Sequence, residues 1–482
     1  MPEICVIYLS EDVPIVGGLV TLLRKHWDVW WAQDIAHGDW EETVREVIFK
    51  SSAVVPVLSQ HAKGERKTII KDEMRFAKKQ GKPIFPFLIG TADVPFGFGD
   101  LSHTKAQGWT GEEAHPGYQQ LKAKLAKTIG KGRQSAAGNE RAQELLIGGK
   151  ILKLPSFAFS VSSHETQITP EEGVILFHLL EPTAALVSAY DSWKSGNNDF
   201  RSNMEKLKQS KSVFLLDSGN YEAYRKNDRY DLETNKEGWQ KEHFRETARL
   251  LSPDVAFSFD TIYPAGKPDH IIESIVAAYL EDDGALQGRT FPLCPIVHLP
   301  SEYNGPLAEC AANIISGVAK ILDPVLIAVP ERELGNGLLE RVRTVRDIRK
   351  ALNALGKYYP LHLLGTGNPI SIIALAVAGA DSFDGLEWCR TVADYDRGHL
   401  FHFQQFDCFS QVCLYRIQDQ RIRRIVENPE NSYTMRALSY NVDFFNDWVQ
   451  SMQKKIHHGL VEDLLKDKVP YIGPQIFGEL SK

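Results

Sequence analysis

The chain reads as an α/β protein of two parallel-strand units, an open sheet wrapped by helices followed by an eight-stranded barrel. Three observations predict this. In the first 130 residues, short apolar runs alternate with helix-compatible stretches, the pattern of a parallel sheet covered on both faces. Beyond residue 148, eight more apolar runs recur, most separated by polar, helix-compatible segments, as in a (β/α)8 barrel. Between them, Gly130-Lys131-Gly132-Arg133-Gln134-Ser135-Ala136-Ala137-Gly138-Asn139-Glu140-Arg141 is small, polar and aperiodic, which reads as a flexible connection. At 482 residues the chain exceeds one ordinary core. The expected division is a first domain over 1–130, a linker over 131–147 and a second domain over 148–482.

In the first unit the expected strands are residues 4–8, 28–31, 53–58 and 83–88, and the expected helices are 14–25, 40–50 and 71–79. The stretch beginning at Lys71 reads as the start of a helix, with Ile70, Met74 and Ala77 forming one apolar stripe. The piece from Gly81 to Ile89 is a short apolar run too brief for a helix, hence a buried strand. In such sheets ligands gather at the carboxyl ends of the strands. Three segments are expected at that edge: Leu9-Ser10-Glu11-Asp12, the loop from Ala32 to Gly38, and the opening of the helix that carries Glu73. Glu73 lies beside the apolar stripe and is the candidate catalytic carboxylate, set against the commoner role of a solvated helix-face glutamate.

The totals exclude several function classes. A net charge of -7 argues against a broad nucleic-acid surface, leaving room for a local basic patch. Six cysteines are too sparse for a disulfide scaffold and point to a reducing, cytoplasmic setting. No secretory leader is evident, and no apolar run reaches the ~18 residues of a membrane helix, so no membrane partner is expected.

Several motifs carry a family resemblance. Val29-Trp30-Trp31-Ala32-Gln33-Asp34-Ile35-Ala36-His37-Gly38-Asp39-Trp40 resembles the second strand and BB loop of bacterial TIR domains. Ser51-Ser52-Ala53-Val54-Val55-Pro56-Val57-Leu58-Ser59 resembles their third strand. Residues 83–89, then Pro95-Phe96-Gly97-Phe98 and Gly108-Trp109-Thr110-Gly111, resemble the fourth strand and closing segment. One departure is that Lys67-Thr68-Ile69-Ile70 stands where a Ser-x-Trp usually precedes the acidic residue. The resemblance implies a flavodoxin-like fold and, as in many prokaryotic TIR domains, cleavage of NAD at the nicotinamide–ribose bond by one glutamate, here Glu73. NAD is then a substrate. Its nicotinamide leaves as a neutral molecule without a general acid, and a fixed carboxylate offsets the oxocarbenium-like charge left on the ribose. Ser10, Asp12, Trp31 and Asp34 are the candidate NAD-contacting residues. Ser10 and Asp12 serve equally well as caps of the first helix, and Trp40 reads as packing.

The barrel strands are expected at residues 157–160, 186–190, 213–217, 255–260, 295–299, 325–330, 361–365 and 382–386. Polar residues stand at their carboxyl ends: Asp217, Asp260, His298, Glu331 and Asp384. Several strand-end acids exceed what helix capping requires. Phe214-Leu215-Leu216-Asp217-Ser218-Gly219-Asn220-Tyr221, Asp254-Val255-Ala256-Phe257-Ser258-Phe259-Asp260, and Leu364-Gly365-Thr366-Gly367-Asn368-Pro369 with Ala380-Asp381-Ser382-Phe383-Asp384 resemble motifs of tRNA-guanine transglycosylases. Residues 437–445 resemble a late helix of that family. The resemblance implies a base pocket in which Asp384 is the nucleophile, Asp217 an acid/base group and Asp260 a reader of the base edge. His298 stands at the place of a base-reading glutamine, and Val329-Pro330-Glu331-Arg332-Glu333-Leu334-Gly335 replaces a glycine-rich stretch. Cys408 and Cys413 with Tyr440 do not supply the four N/S ligands of the family's zinc, so no metal is expected.

Together these readings describe an NAD hydrolase of prokaryotic antiphage defence. Its TIR unit is regulated by a barrel that senses a nucleobase, nucleoside or RNA ligand, and it works as a homo-oligomer once activated. The alternative makes the barrel a base-exchanging or base-removing enzyme, with the TIR unit as an interaction module.

Overall fold

The computed structural model describes residues 3–24, 26–27, 29–31, 40–61, 66–99, 101–129, 141–164, 166–195, 198–226, 229–230, 238–262, 264–410, 414–417 and 419–481. They form two compact units, Met1–Glu140 and Arg141–Lys482. Residues 131–140 of the expected linker lie outside the described residues, and 141–147 contains a strand of the second unit.

The first unit is one parallel sheet of five strands: β1 (Ile4–Ile7), β2 (Val29–Trp31), β3 (Ala53–Leu58), β4 (Phe87–Ile89) and β5 (Thr104–Ala106), in the order β2-β1-β3-β4-β5. Alternation along β1 sends Ile4 and Val6 to one face, with Val16 and Leu19 of helix α1 (Val13–Arg24). Cys5 and Ile7 go to the other face, with Val44 of α2 (Trp40–Lys50) and Ile70, Met74 and Ala77 of α3 (Arg66–Lys79). Both faces are therefore covered, as a parallel sheet requires.

Three details differ from the sequence expectation. Helix α3 begins at Arg66, because its polar opening, Arg66-Lys67-Thr68, has no apolar period to reveal it. Glu73 thus sits about two turns inside the helix rather than at its mouth. The fourth strand is cut to Phe87–Ile89, with Ile84 held by a single bridge to Val54, since Pro83 and Pro86 carry no N–H for the ladder. Strand β5 and helix α4 (Pro116–Thr128) complete the sheet. The strand was hidden because it is three residues long and centred on exposed Lys105.

The second unit opens with a hairpin, β6 (Glu144–Ile147) and β7 (Lys150–Lys153). Eight parallel strands follow: β8 (Ser156–Val161), β9 (Ala184–Ser188), β10 (Val213–Asp217), β11 (Val255–Phe257), β12 (Leu293–Cys294), β13 (Ile327–Pro330), β14 (Leu361–Leu364) and β15 (Ser382–Gly385). They run in chain order around the barrel, and β15 pairs back onto β8. The remaining gap is spanned by an Ile296–Ala328 bridge, with Val297 N–H donating to Ala328 O at 2.8 Å. Seven of the eight expected strands overlap an observed one; in place of the run 295–299 the ladder lies at Leu293–Cys294, and only Ile296 of the expected run makes a bridge.

Ile147 and Leu152 of the hairpin join Ala158, Leu186, Leu215 and Phe257 in the barrel's inner core, so the hairpin plugs the amino end. At that end Asp381, wholly buried, accepts from Arg141 Nε (3.0 Å), Arg349 Nη2 (2.6 Å), Tyr358 Oη (2.6 Å) and Leu361 N–H (3.0 Å). The last barrel helix, Tyr433–His457, arrives only after an excursion through residues 386–432. It is anchored by Phe445 stacked on Phe157 (centroids 4.7 Å), by Trp448 Nε1 donating to Pro369 O (3.0 Å), and by Gln453 Nε2 donating to Pro155 O (2.8 Å). No helix among the described residues is long and apolar enough to cross a membrane.

Candidate functional site

In the first unit, the register of α3 decides what Glu73 meets. Ile70, Met74 and Ala77 are fully buried against β1 and β3, and Glu73 sits on the flank of that stripe, half-buried. Burial pushes its carboxyl up from 4.5 to about 7. Its influence reaches β1, where the Cys5 thiol is driven upward by burial and by the Glu73 charge. A carboxylate held over the sheet in this way is poorly solvated, and so poised to gain from a developing positive charge.

The other sequence candidates are spread around this unit. Asp12 is buried; its Oδ2 accepts from Ser59 Oγ (2.8 Å), and Oδ1 pairs with His61 Nδ1 (2.7 Å), clasping the turn after β1 to the end of β3. Ser10 is exposed, and its hydroxyl donates to Glu11 (3.1 Å). Trp31 packs on the α1 face beside Tyr8 (centroids 5.6 Å), the face away from Glu73. Its neighbour Trp30 is the tryptophan on the Glu73 face, an assignment that strict two-residue alternation along β2 makes available. Asp34 and the side chain of Trp40 lie outside the described residues.

The barrel gathers all four of its candidates. Asp217, Asp260, His298 and Asp384 line one cavity of about 270 Å³ at the carboxyl ends of the strands. Asp384, on β15, is rigidly held: Ser160 Oγ donates to Oδ2 (2.7 Å), and Gly365 N–H (3.0 Å) and His362 Nε2 (3.2 Å) reach Oδ1. Behind His362 the chain of polar contacts continues to Ser382 Oγ (2.9 Å) and Ser156 Oγ (3.0 Å), running down the barrel interior. Asp217, at the end of β10, accepts from Gly219 N–H (3.2 Å).

Charge in the cavity is arranged in two patterns. His298 is clamped between Asp260 Oδ2 (2.6 Å) and Glu333 Oε1 (2.7 Å). Burial alone would lower its pKa, but hydrogen bonds and charge from these two carboxylates raise it to about 10, so both ring nitrogens donate. In return, Asp260 is held below the usual carboxylate range: burial opposes this, and hydrogen bonds from His298, Ser218 and Asn220 outweigh it. Asn220 Nδ2 takes Asp260 Oδ1 at 2.7 Å, so both oxygens of the expected base reader are already engaged. Asp217 has no such cation; burial, then repulsion from Asp260 and Asp384, pushes it up to about 7. Asp260 is thus kept ionised while Asp217 holds its proton up to about neutral pH, the division of labour that acid–base chemistry needs.

Sequence reasoning missed Glu222, Glu387 and His362. Glu222 follows Asp217 by five residues and enters the cavity on the short helix Asn220–Tyr224; burial, then Asp191 and Asp217, raise its carboxyl well above the normal range. Glu387 follows Asp384 by three residues and packs over Gly367, where a Cβ would fall 1.6 Å from its Oε2. A strand-end acid repeated a few residues later was the available signal. Glu333 was noted only as part of a substituted stretch. Cys408 is exposed, Cys413 lies outside the described residues, and Tyr440 is a core residue whose hydroxyl donates to Ala393 O (2.8 Å). Among the described residues no group of three or more His, Cys, Asp or Glu is placed to hold a metal ion.

A search of the curated proteins finds no match to the chain. Residues 4–122 match the family model of the TIR domain, which supports a TIR-based role, signalling or NAD-cleaving, for the first unit.

Proposed function

We propose that the TIR unit hydrolyses NAD at the nicotinamide–ribose bond, with Glu73 as the catalytic carboxylate, and that the barrel cavity is the ligand site that regulates it in antiphage defence. The observation that carries this reading is Glu73 itself: a half-buried carboxylate with its pKa raised to about 7, inside the segment that matches the TIR domain. In this reading the carboxylate hydrogen-bonds the ribose hydroxyls in its ionised form and stabilises the positive charge that grows as nicotinamide departs. Purified protein incubated with NAD is expected to release nicotinamide, with a rate that rises from pH 6 to pH 8 as Glu73 ionises. Glu73→Gln is expected to lower the rate by on the order of 100-fold or more. Wild-type turnover in that variant rejects the assignment. Activation by assembly predicts a specific rate that climbs with protein concentration, measured across a dilution series.

A second reading rests on the barrel: the firmly held Asp384 and the Asp217 acid are a nucleophile and an acid/base partner for N-glycosyl transfer. A covalent RNA adduct that forms on wild-type protein and is lost in Asp384→Ala would make the barrel the enzyme.

A further inference from the structure

The barrel cavity is lined by six carboxylates against three arginines and one histidine. The histidine is committed, with His298 held between Asp260 and Glu333. Arg225 lies over the Tyr221 ring at 4.5 Å, and Arg390 Nη2 donates to His164 O at 3.2 Å. Among the described residues only two carboxylate oxygens are buried without a hydrogen-bond partner: Glu222 Oε2 and Asp191 Oδ1. Glu222 is 6% exposed and forms part of the cavity wall. Asp191, 2% exposed, stands on the neighbouring helix Ala189–Ser195, where its other oxygen takes Ser163 N–H at 2.9 Å.

A buried acceptor left without a donor is costly, and more so when it is charged. Burial, with repulsion from Asp191 and Asp217, favours a proton on Glu222 and so lowers that cost in the free protein. The charged groups facing Glu222 and Asp191 are Asp217 from β10, Glu171 from helix Pro170–Leu180, and Lys194 from the helix of Asp191; the hydroxyls of Ser162 and Ser188 also reach Glu222. Two of those three charged groups are acids, so Glu222 and Asp191 lack both a full balance of positive charge and a donor for their unpartnered oxygens. A ligand that brings N–H donors and a delocalised positive charge supplies both, and amidinium-type groups match a carboxylate in paired geometry. An anion would add to the negative charge of this cluster, and a neutral amide would bring N–H donors without the positive charge.

We propose that the barrel cavity binds a small organic cation of the amidine, guanidine or protonated amino-heterocycle class, whose N–H groups are taken by Glu222 with Asp217 beside it. This rests on the reading of the cavity as the ligand site of the second unit and is independent of Glu73. On binding, the ligand N–H replaces the proton held among these acids, and that proton passes to solvent.

The test is titration calorimetry of the full chain at neutral pH with three probes of one shape: benzamidinium, benzamide and benzoate. Benzamidinium is expected to bind at least tenfold more tightly than benzamide, with proton release seen as a heat that depends on the buffer's ionisation enthalpy. In Glu222→Gln the preference is expected to shrink to within about twofold. Equal or tighter binding of benzamide or benzoate, or no binding of any probe at millimolar concentration, overturns the proposal, as does a cation preference that survives in Glu222→Gln. The wild-type comparison needs no variant, so it decides the ligand class even where Glu222→Gln does not fold, and Asp217→Asn then tests the neighbouring acid by the same loss of preference. Nicotinamide release by the same preparation, and its loss in Glu73→Gln, reports separately on the TIR reading.

Discussion

Burial of Glu73 carries a cost in stability that depends on pH. Its carboxyl is raised from 4.5 to about 7, so between those values the folded unit holds a proton that the unfolded chain has released. For an acid raised in this direction, stability falls as pH rises through the interval and levels off above it, by on the order of 3 kcal/mol in all. Glu73→Gln is therefore expected to stabilise the first unit against urea at pH 8 and to make no difference near pH 4. A variant equally stable at both values would show that the side chain is solvated. His298 has the opposite linkage. Raised to about 10 by two carboxylates, it contributes its full stabilisation below its ordinary value of 6.5 and loses it as pH climbs through 10. His298→Ala leaves Asp260 and Glu333 buried without their shared cation, an expected loss of about 3–5 kcal/mol by denaturant titration at pH 7. Adding Asp260→Asn should recover part of it.

At the scale of single elements, the cavity depends on how one short helix docks. Gly219, at φ 83°, leads into Asn220–Tyr224, and a Cβ there would lie 2.5 Å from Tyr190 N, a backbone atom that cannot step aside. Gly219→Ala is expected to cost at least ~1–3 kcal/mol and to displace Glu222, read as a lowered melting temperature and weakened probe binding. Such docking is invisible in a linear pattern, whereas the strands were not. Val213–Asp217 and Ala53–Leu58 were legible to the residue, because an apolar run between turn signals that is too short for a helix fits a buried strand. Strand β5 escaped for the converse reason, and helix α3 was read from its stripe onward because only the stripe is periodic.

At the scale of the whole molecule, each unit has cores of its own, and the second closes only when its last helix returns. Deleting residues 433–482 removes Phe445, Trp448 and Gln453 from their contacts with Phe157, Pro369 and Pro155, so the barrel unit is expected to be lost as soluble folded protein, with loss of its near-UV aromatic signal. Local chemistry was enough to mark two α/β units, seven of the eight barrel strands and the five acids or bases Asp217, Asp260, His298, Glu331 and Asp384 that line the cavity, since alternation and burial are written along the chain. Which of those side chains are pushed toward holding a proton, which tryptophan shares a face with Glu73, and that Glu222 and Asp191 lie close enough to repel, are decided only by the fold. Charge, desolvation and hydrogen bonding depend on distances between residues far apart in sequence, and a linear pattern carries no record of those distances.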